Sequence, residues 1–218
     1  MKKFISPITK LLTPKEERVQ LNMRSIYNGH FNITYRGVEA LRCPFDYVIY
    51  QMIICNLRPD LVIEIGTNVG GGALYLADLM DKIGHGLVHT IDIKNQAHDL
   101  VHEHPRVRVF IEGWEKYNIK EAITFPTVLV IEDGTHVYED TLGALDKFAP
   151  LVTLSSYLIV EDGIIDELGM QKGIHGGPLR AIREFLRTNL DFEVDRHWCD
   201  FFGKNVTFNV NGYLKKIK

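Results

Sequence analysis

From about residue 61 onward, short runs of apolar, mostly β-branched residues alternate with longer segments of helical period. The runs are Leu61 to Ile65, Leu87 to Ile91, Val107 to Ile111, Val128 to Ile131 and Tyr157 to Val160. Continuous apolar strands of this length suit a parallel sheet covered on both faces. Between them, Gly71 to Lys82, Gln96 to Glu103, Lys116 to Ile123 and Tyr138 to Phe148 predict helices. The alternation predicts a doubly wound α/β domain. Further on, Leu179 to Leu190 predicts a helix, and Phe192 to Asp195 and Asn205 to Val210 predict two strands, antiparallel if a short connection joins them. The first sixty residues are less regular. Pro14 to Met23 and Pro44 to Cys55 predict helices that start at or just before a proline, which the first turn tolerates. The expected organisation is an N-terminal helical extension over 1–58 and a main domain over 59–218.

Composition narrows this picture without changing it. A chain of 218 residues, 45% apolar and 24% charged, can bury a core of its own and is neither disordered nor fibrous. Cys43, Cys55 and Cys199 are odd in number and form no C-x-x-C pair, so they read as buried thiols in a reducing compartment. Lys plus Arg number 25 against 28 Asp plus Glu, a net charge of -3 that offers no footprint for nucleic acid. Met1-Lys2-Lys3 opens a stretch broken by Pro7 and Lys10 that does not read as a secretory signal, and no apolar run reaches the roughly 20 residues of a membrane span. A cytoplasmic protein with a small-molecule partner is expected.

The candidate chemistry begins where the first strand, Leu61 to Ile65, runs into Gly66-Thr67-Asn68-Val69-Gly70-Gly71-Gly72. Glycines suit a sharp strand-to-helix turn over which a ligand passes close to the backbone. With Glu64 two residues ahead of Gly66, the pattern E-x-G-x-x-x-G-x-G is longer than the dinucleotide fingerprint and looks like the first motif of S-adenosylmethionine-dependent methyltransferases. Asp92 closes the next strand, where a carboxylate can accept from both ribose hydroxyls of an adenosyl cofactor.

A second cluster is expected at the ends of the fourth and fifth strands: Glu132-Asp133-Gly134-Thr135-His136 and Glu161-Asp162-Gly163. Adjacent strands lie about 4.8 Å apart, so these carboxylates converge. At about 5 Å and an effective dielectric near 20, each like-charged pair costs roughly 3 kcal/mol, and the group calls for a proton or a cation. An all-oxygen set suits Mg²⁺, or Mn²⁺, better than Zn²⁺. His136, three residues after Asp133, is placed to take a proton from a hydroxyl.

Taken together, Glu64 to Gly72, Asp133-Gly134-Thr135-His136, Tyr157 to Gly163 and the run Asn205 to Leu214 resemble the cephalosporin hydroxylase and rhamnosyl O-methyltransferase family, which is related to macrolide-sugar O-methyltransferases. The resemblance covers about Tyr35 to Lys216. It implies a Rossmann-like class I methyltransferase fold, with a mostly parallel seven-stranded sheet and an antiparallel C-terminal strand. It also implies S-adenosylmethionine as cofactor and Mg²⁺ held by Asp133, Glu161 and Asp162. His136 becomes the general base, with Asp133 beside it at the catalytic centre. Glu64, Gly66, Asn68, Gly70, Gly72, Asp92, Trp114 and Asp133 become the cofactor set. Trp114 stands where an adenine neighbour is expected in such folds, and reads equally as core or surface packing. Glu132 stands where the family pattern has an uncharged residue, which leaves either Glu132 or Asp133 to face the metal.

The function these residues imply is a Mg²⁺-assisted O-methyltransferase acting on a hydroxyl of a sugar, glycolipid or secondary metabolite. A second reading is a cofactor-binding subunit of a cephalosporin-hydroxylase-type oxidative system without methyl transfer. A fainter third is a nicotinamide-dependent oxidoreductase. A homo-oligomer is implied as well, with Phe201, Phe202 and Tyr213 as candidate interface residues. Residues 163–178 read equally as a lid or a plain surface loop, and Tyr35 to Gly37 and Pro44 to Asp46 read equally as pocket lining or packing. His98, His102 and His104 read as a solvated face.

Overall fold

The structure, a computed structural model, describes residues 18–218. Its frame is a seven-stranded sheet: β3 (Leu61–Ile65), β4 (Leu87–Ile91), β5 (Val107–Phe110), β6 (Val128–Glu132), β7 (Tyr157–Val160), β8 (Phe192–Val194) and β9 (Tyr213–Lys216). The order across the sheet is β5-β4-β3-β6-β7-β9-β8. β3 to β7 are parallel, and β9 runs antiparallel to both neighbours. The doubly wound, mostly parallel sheet with an antiparallel C-terminal strand is as expected.

Every residue of β3, β6 and β7 is buried, as central strands covered on both faces must be. Val62, Leu129, Ile131 and Ile159 face one core layer, built with α2 (Pro44–Leu57) and α3 (Gly71–Ile83). Ile63, Val130, Leu158 and Val160 face the other, built with α5 (Tyr138–Phe148) and α6 (Gly177–Thr188). Pro44 sits in the first turn of α2, and Arg58 stops that helix in a left-handed conformation. A hairpin, β1 (Thr34–Tyr35) with β2 (Val38–Glu39), lies before α2. Ahead of the hairpin, α1 (Met23–His30) lends Met23, Ile26 and Tyr27 to a small cluster with Ile164, Leu168, Phe208 and Val210.

Several sequence expectations need correction. The helix expected over Pro14 to Met23 falls partly outside the described residues; among the described residues the first helix starts at Met23, behind the Asn22 side-chain cap. Gln96 to Glu103 shrinks to α4 (Asp99–His102), and Lys116 to Ile123 to a single 3-10 turn. The strand expected over Asn205 to Val210 is irregular, and β9 forms later, after α7 (Arg196–Cys199). The alternation there misleads because Thr207 and Asn209 are as fully buried as Phe208. Their polar atoms bond to Asp46, Tyr50 and Tyr213 instead of joining a ladder. Tyr213 is interior, so it leaves the interface set, whereas Phe201 and Phe202 stay exposed. Cys55 is exposed rather than buried.

The strand order reverses between β3 and β6, and in such sheets ligands lie beyond the strand ends at that crevice. A β-carbon on Gly66, whose φ is +104°, would stand 1.8 Å from the carbonyl oxygen of Asp133. The glycine is therefore required to bring the turns after β3 and β6 together, besides any ligand that passes over it.

Candidate active site

A cavity of about 610 Å³ opens along the C-terminal ends of β3, β4, β6 and β7. At one end is Asp92, which β4 delivers beyond the sheet edge. Its Oδ1 accepts from the backbone N–H of Ile93 and Lys94 at 2.7 and 3.0 Å, and its Oδ2 from that of Asn68 at 2.9 Å. Asn68 itself turns with a φ of +48° and receives Gln96 Nε2 at 3.1 Å. Trp114 forms the neighbouring wall, its ring seated on α5 so closely that a β-carbon at Gly143 would lie 2.7 Å from Cη2. The opposite end is lined by Tyr27, His30, Phe31, Ile165 and Met170, so the 163–178 segment contributes two residues to the wall.

Between the two ends, Asp133, His136 and Asp162 each turn one donor atom to within 4.8 Å of the others. His136 Nε2 lies 3.3 Å from Asp162 Oδ2 and 3.9 Å from Asp133 Oδ1. His136 and Asp162 both hold positive φ, +59° and +57°, an arrangement that costs a non-glycine residue about 1–3 kcal/mol and gathers at functional sites. Burial, with Glu161 and Asp162 close by, pushes the Asp133 carboxyl well above the usual range, against the pull of Arg42. Burial raises Asp162 as well, while His136 works in the other direction. Two carboxylates with raised proton affinity on one point form an oxygen donor set that fits a divalent cation, with an imidazole nitrogen beside it.

Successive residues at a strand end point to opposite sides, and this separates the expected metal set. Glu132 turns inward, its Oε1 accepting from Gly134 N–H at 3.2 Å, so Asp133 is the one that faces the cluster. Glu161 likewise turns away from Asp162. Its Oε1 receives the Tyr50 hydroxyl at 2.7 Å and meets Arg42 Nη2 at 2.7 Å, and its Oε2 accepts from Arg42 Nε at 3.1 Å. Of the expected set of Asp133, Glu161 and Asp162, the structure brings Asp133 and Asp162 together beside His136, while Glu161 is engaged by Arg42 and Tyr50.

Arg42 is the residue that sequence reasoning missed. It is 3% exposed, packs over the Tyr50 ring at 4.7 Å, and also reaches Glu64 Oε1 at 3.4 Å and Asp133 Oδ2 at 3.6 Å. Burial opposes its charge, but Glu161 and its other acidic neighbours hold the proton more firmly than usual. Glu64 accepts from the Thr90 hydroxyl at 2.8 Å on its other oxygen, and burial pushes it up to about 7. Beneath them Asp46, also pushed up to about 7 by burial, accepts from Thr207, Phe208 N–H and Tyr213. Asp46 is thus packing, not lining. Tyr35 is packing too, its hydroxyl donating to Asp78. His104 is buried beside Asp78 at 3.1 Å rather than solvated.

Gly70 and Gly72 flank the start of α3, Gly70 as its cap with φ +91°. Gly72 lies under the inner charges: a β-carbon there would be 2.6 Å from Glu64 Oε1 and 3.4 Å from Arg42 Nη1. A smaller cavity of about 40 Å³ runs between Arg42, Glu64, Gly66, Gly71 and Gly72 and borders Asn68 and Asp133.

The sequence profile described as Rhamnosyl O-methyltransferase/CmcI matches residues 27–217. The rhamnosyl O-methyltransferase of Mycobacterium leprae (strain TN) is 32% identical over 200 residues, covering 86% of each chain. Of solved structures, one described as "cmcI-N160 SAH" superposes with a TM-score of 0.67 at 15% identity, over 100% of this chain and 95% of the other. Another, "cmcI-D160 Mg-SAM", gives 0.65 at 15%, over 100% and 87%. These two structures establish the likeness of fold.

Proposed function

The chain belongs to the rhamnosyl O-methyltransferase/CmcI family, and from that premise we propose that it is an S-adenosylmethionine-dependent, Mg²⁺-assisted O-methyltransferase acting on a sugar hydroxyl. The observation that carries the reading is one continuous cavity with Asp92 at one end and Asp133, His136 and Asp162 at its centre. Asp92 would receive the ribose hydroxyls, Trp114 would lie beside the adenine, and Glu64 would accept from the methionine ammonium. Gly66, Asn68, Gly70 and Gly72 shape the turn beneath. Asp133 and Asp162 would hold Mg²⁺, which commonly keeps several waters and needs only one or two carboxylates from the protein. Glu161 can join them only if Arg42 and Tyr50 release it.

When bound, the cofactor supplies an activated methyl group and the ion lowers the proton affinity of the acceptor hydroxyl. His136 Nε2 takes that proton, and Asp162 Oδ2, 3.3 Å away, stabilises the imidazolium that results. The remaining contribution of the chain is orientation: Tyr27, His30, Phe31 and Met170 offer apolar and aromatic faces to a sugar whose hydroxyls turn toward the carboxylates. A cofactor-binding subunit without methyl transfer would have no need of a base beside the metal donors. Among the described residues no helix is long and apolar enough to cross a membrane. We extend the reading to a cytoplasmic homo-oligomer, supported by the exposed Phe201 and Phe202.

The test is methyl transfer to a rhamnoside followed by mass spectrometry, first in chelator and then with Mg²⁺ restored. Product that appears only with the ion is expected. No methylated product from sugar acceptors, or full turnover in chelator, would overturn the reading.

A further inference from the structure

We propose that Arg42 binds the carboxylate of the cofactor's methionine moiety, in the small cavity over Gly72. The proposal rests on the cofactor reading above and deepens it. Two of the three guanidinium nitrogens are engaged, Nε by Glu161 and Nη2 by Glu161, Glu64 and Asp133. The third, Nη1, is buried and has no hydrogen-bond partner among the described residues. A buried donor left unpaired costs about 1–3 kcal/mol, so a partner is called for.

The surroundings define that partner. Arg42 and Glu64 both overhang Gly72 and line the same cavity, so a cation-seeking and an anion-seeking group stand side by side. A free carboxylate would meet Glu64, Asp133 and Glu161 and be repelled. An α-amino acid head group arrives without net charge, its ammonium toward Glu64 and its carboxylate toward Nη1. The N-terminus of α3, a helix of 13 residues that begins at Gly71, adds free N–H groups and a favourable dipole on the same side. A side chain at Gly72 would fill the space this head group needs.

The experiment is calorimetric binding of S-adenosylhomocysteine, its decarboxylated analogue and 5′-methylthioadenosine to the wild-type protein and to Arg42→Lys, which keeps the charge but not the fork. Wild type is expected to prefer S-adenosylhomocysteine over the decarboxylated analogue by about tenfold or more, the size of one charged hydrogen bond. Arg42→Lys should lose most of that preference while keeping its affinity for 5′-methylthioadenosine. Equal affinity of wild type for both homocysteine compounds would overturn the proposal, even if the variant failed to fold, and would leave Nη1 satisfied by a buried water only. A preference that survives in Arg42→Lys overturns it too. No binding of S-adenosylhomocysteine to wild type would overturn this proposal and the cofactor reading together.

Discussion

Two sets of carboxylates lie side by side beyond the sheet and are neutralised in opposite ways. The inner pair, Glu64 and Glu161, closes on Arg42, and all three side chains are 2–3% exposed. The outer pair, Asp133 and Asp162, has side chains 22% and 21% exposed and faces the cavity with His136. Where the balancing cation is part of the chain, the acids are buried and each of their oxygens has a partner in the protein. Where the chain supplies no such partner and the proposed ion would balance the charge, the acids are about one-fifth exposed, with raised proton affinity and left-handed backbone at two of the three residues. Asp133 borders both sets, one oxygen 3.6 Å from Arg42 and the other 3.9 Å from His136.

The strongest way to break the comparison is Arg42→Met. It leaves two buried carboxylates without their cation and should cost about 3–5 kcal/mol of stability in urea unfolding. A loss below about 1 kcal/mol would mean that the inner set does not depend on its arginine. Next, Asp133→Asn should lower turnover about 100- to 1000-fold, the usual cost of one transition-state electrostatic partner. Its unfolding free energy should hold or rise, because the native carboxyl is pushed upward by burial. A large stability loss would place Asp133 with the inner set.

The smallest effect lies in Glu64. Facing Arg42, Thr90 and the nearby Glu161, and pushed up to about 7, it carries a proton in a growing share of unliganded molecules as pH falls below that value. The proton must leave before the carboxylate can accept from an ammonium, so cofactor affinity should fall with pH below about 7, by up to tenfold per unit (about 1.4 kcal/mol). Glu64→Gln should bind more weakly and show no such slope. Titrations at several pH values decide it.

The acids of both sets were legible in the sequence, but the arginine that closes the inner one was not. Apolar runs such as Leu61–Ile65 and Tyr157–Val160 are buried at every position, so pattern alone places their ends, and the ends carry Asp133 and Asp162 to the cavity. The alternation of side chains at a strand end also held the signal that Glu161 and Asp162 diverge. Arg42 gave no such signal. It stands alone between Leu41 and Cys43, outside any period, and its partners follow 22 and 119 residues later. The 205–210 segment failed for a related reason, since its polar residues face a distant buried acid and not solvent.

That acid, Asp46, sets the order in which the protein can be completed. Its partners Thr207 and Tyr213 lie 161 and 167 positions along the chain, and it shares α2 with Tyr50, which steadies Glu161. Contacts of such separation close late, because the entropy of the intervening loop is lost before they give anything back. During synthesis the sheet strands from β3 to β7 can pair while Asp46 still lacks these partners. Until residues 207–213 have emerged, Asp46 in α2 has none of these partners from the end of the chain.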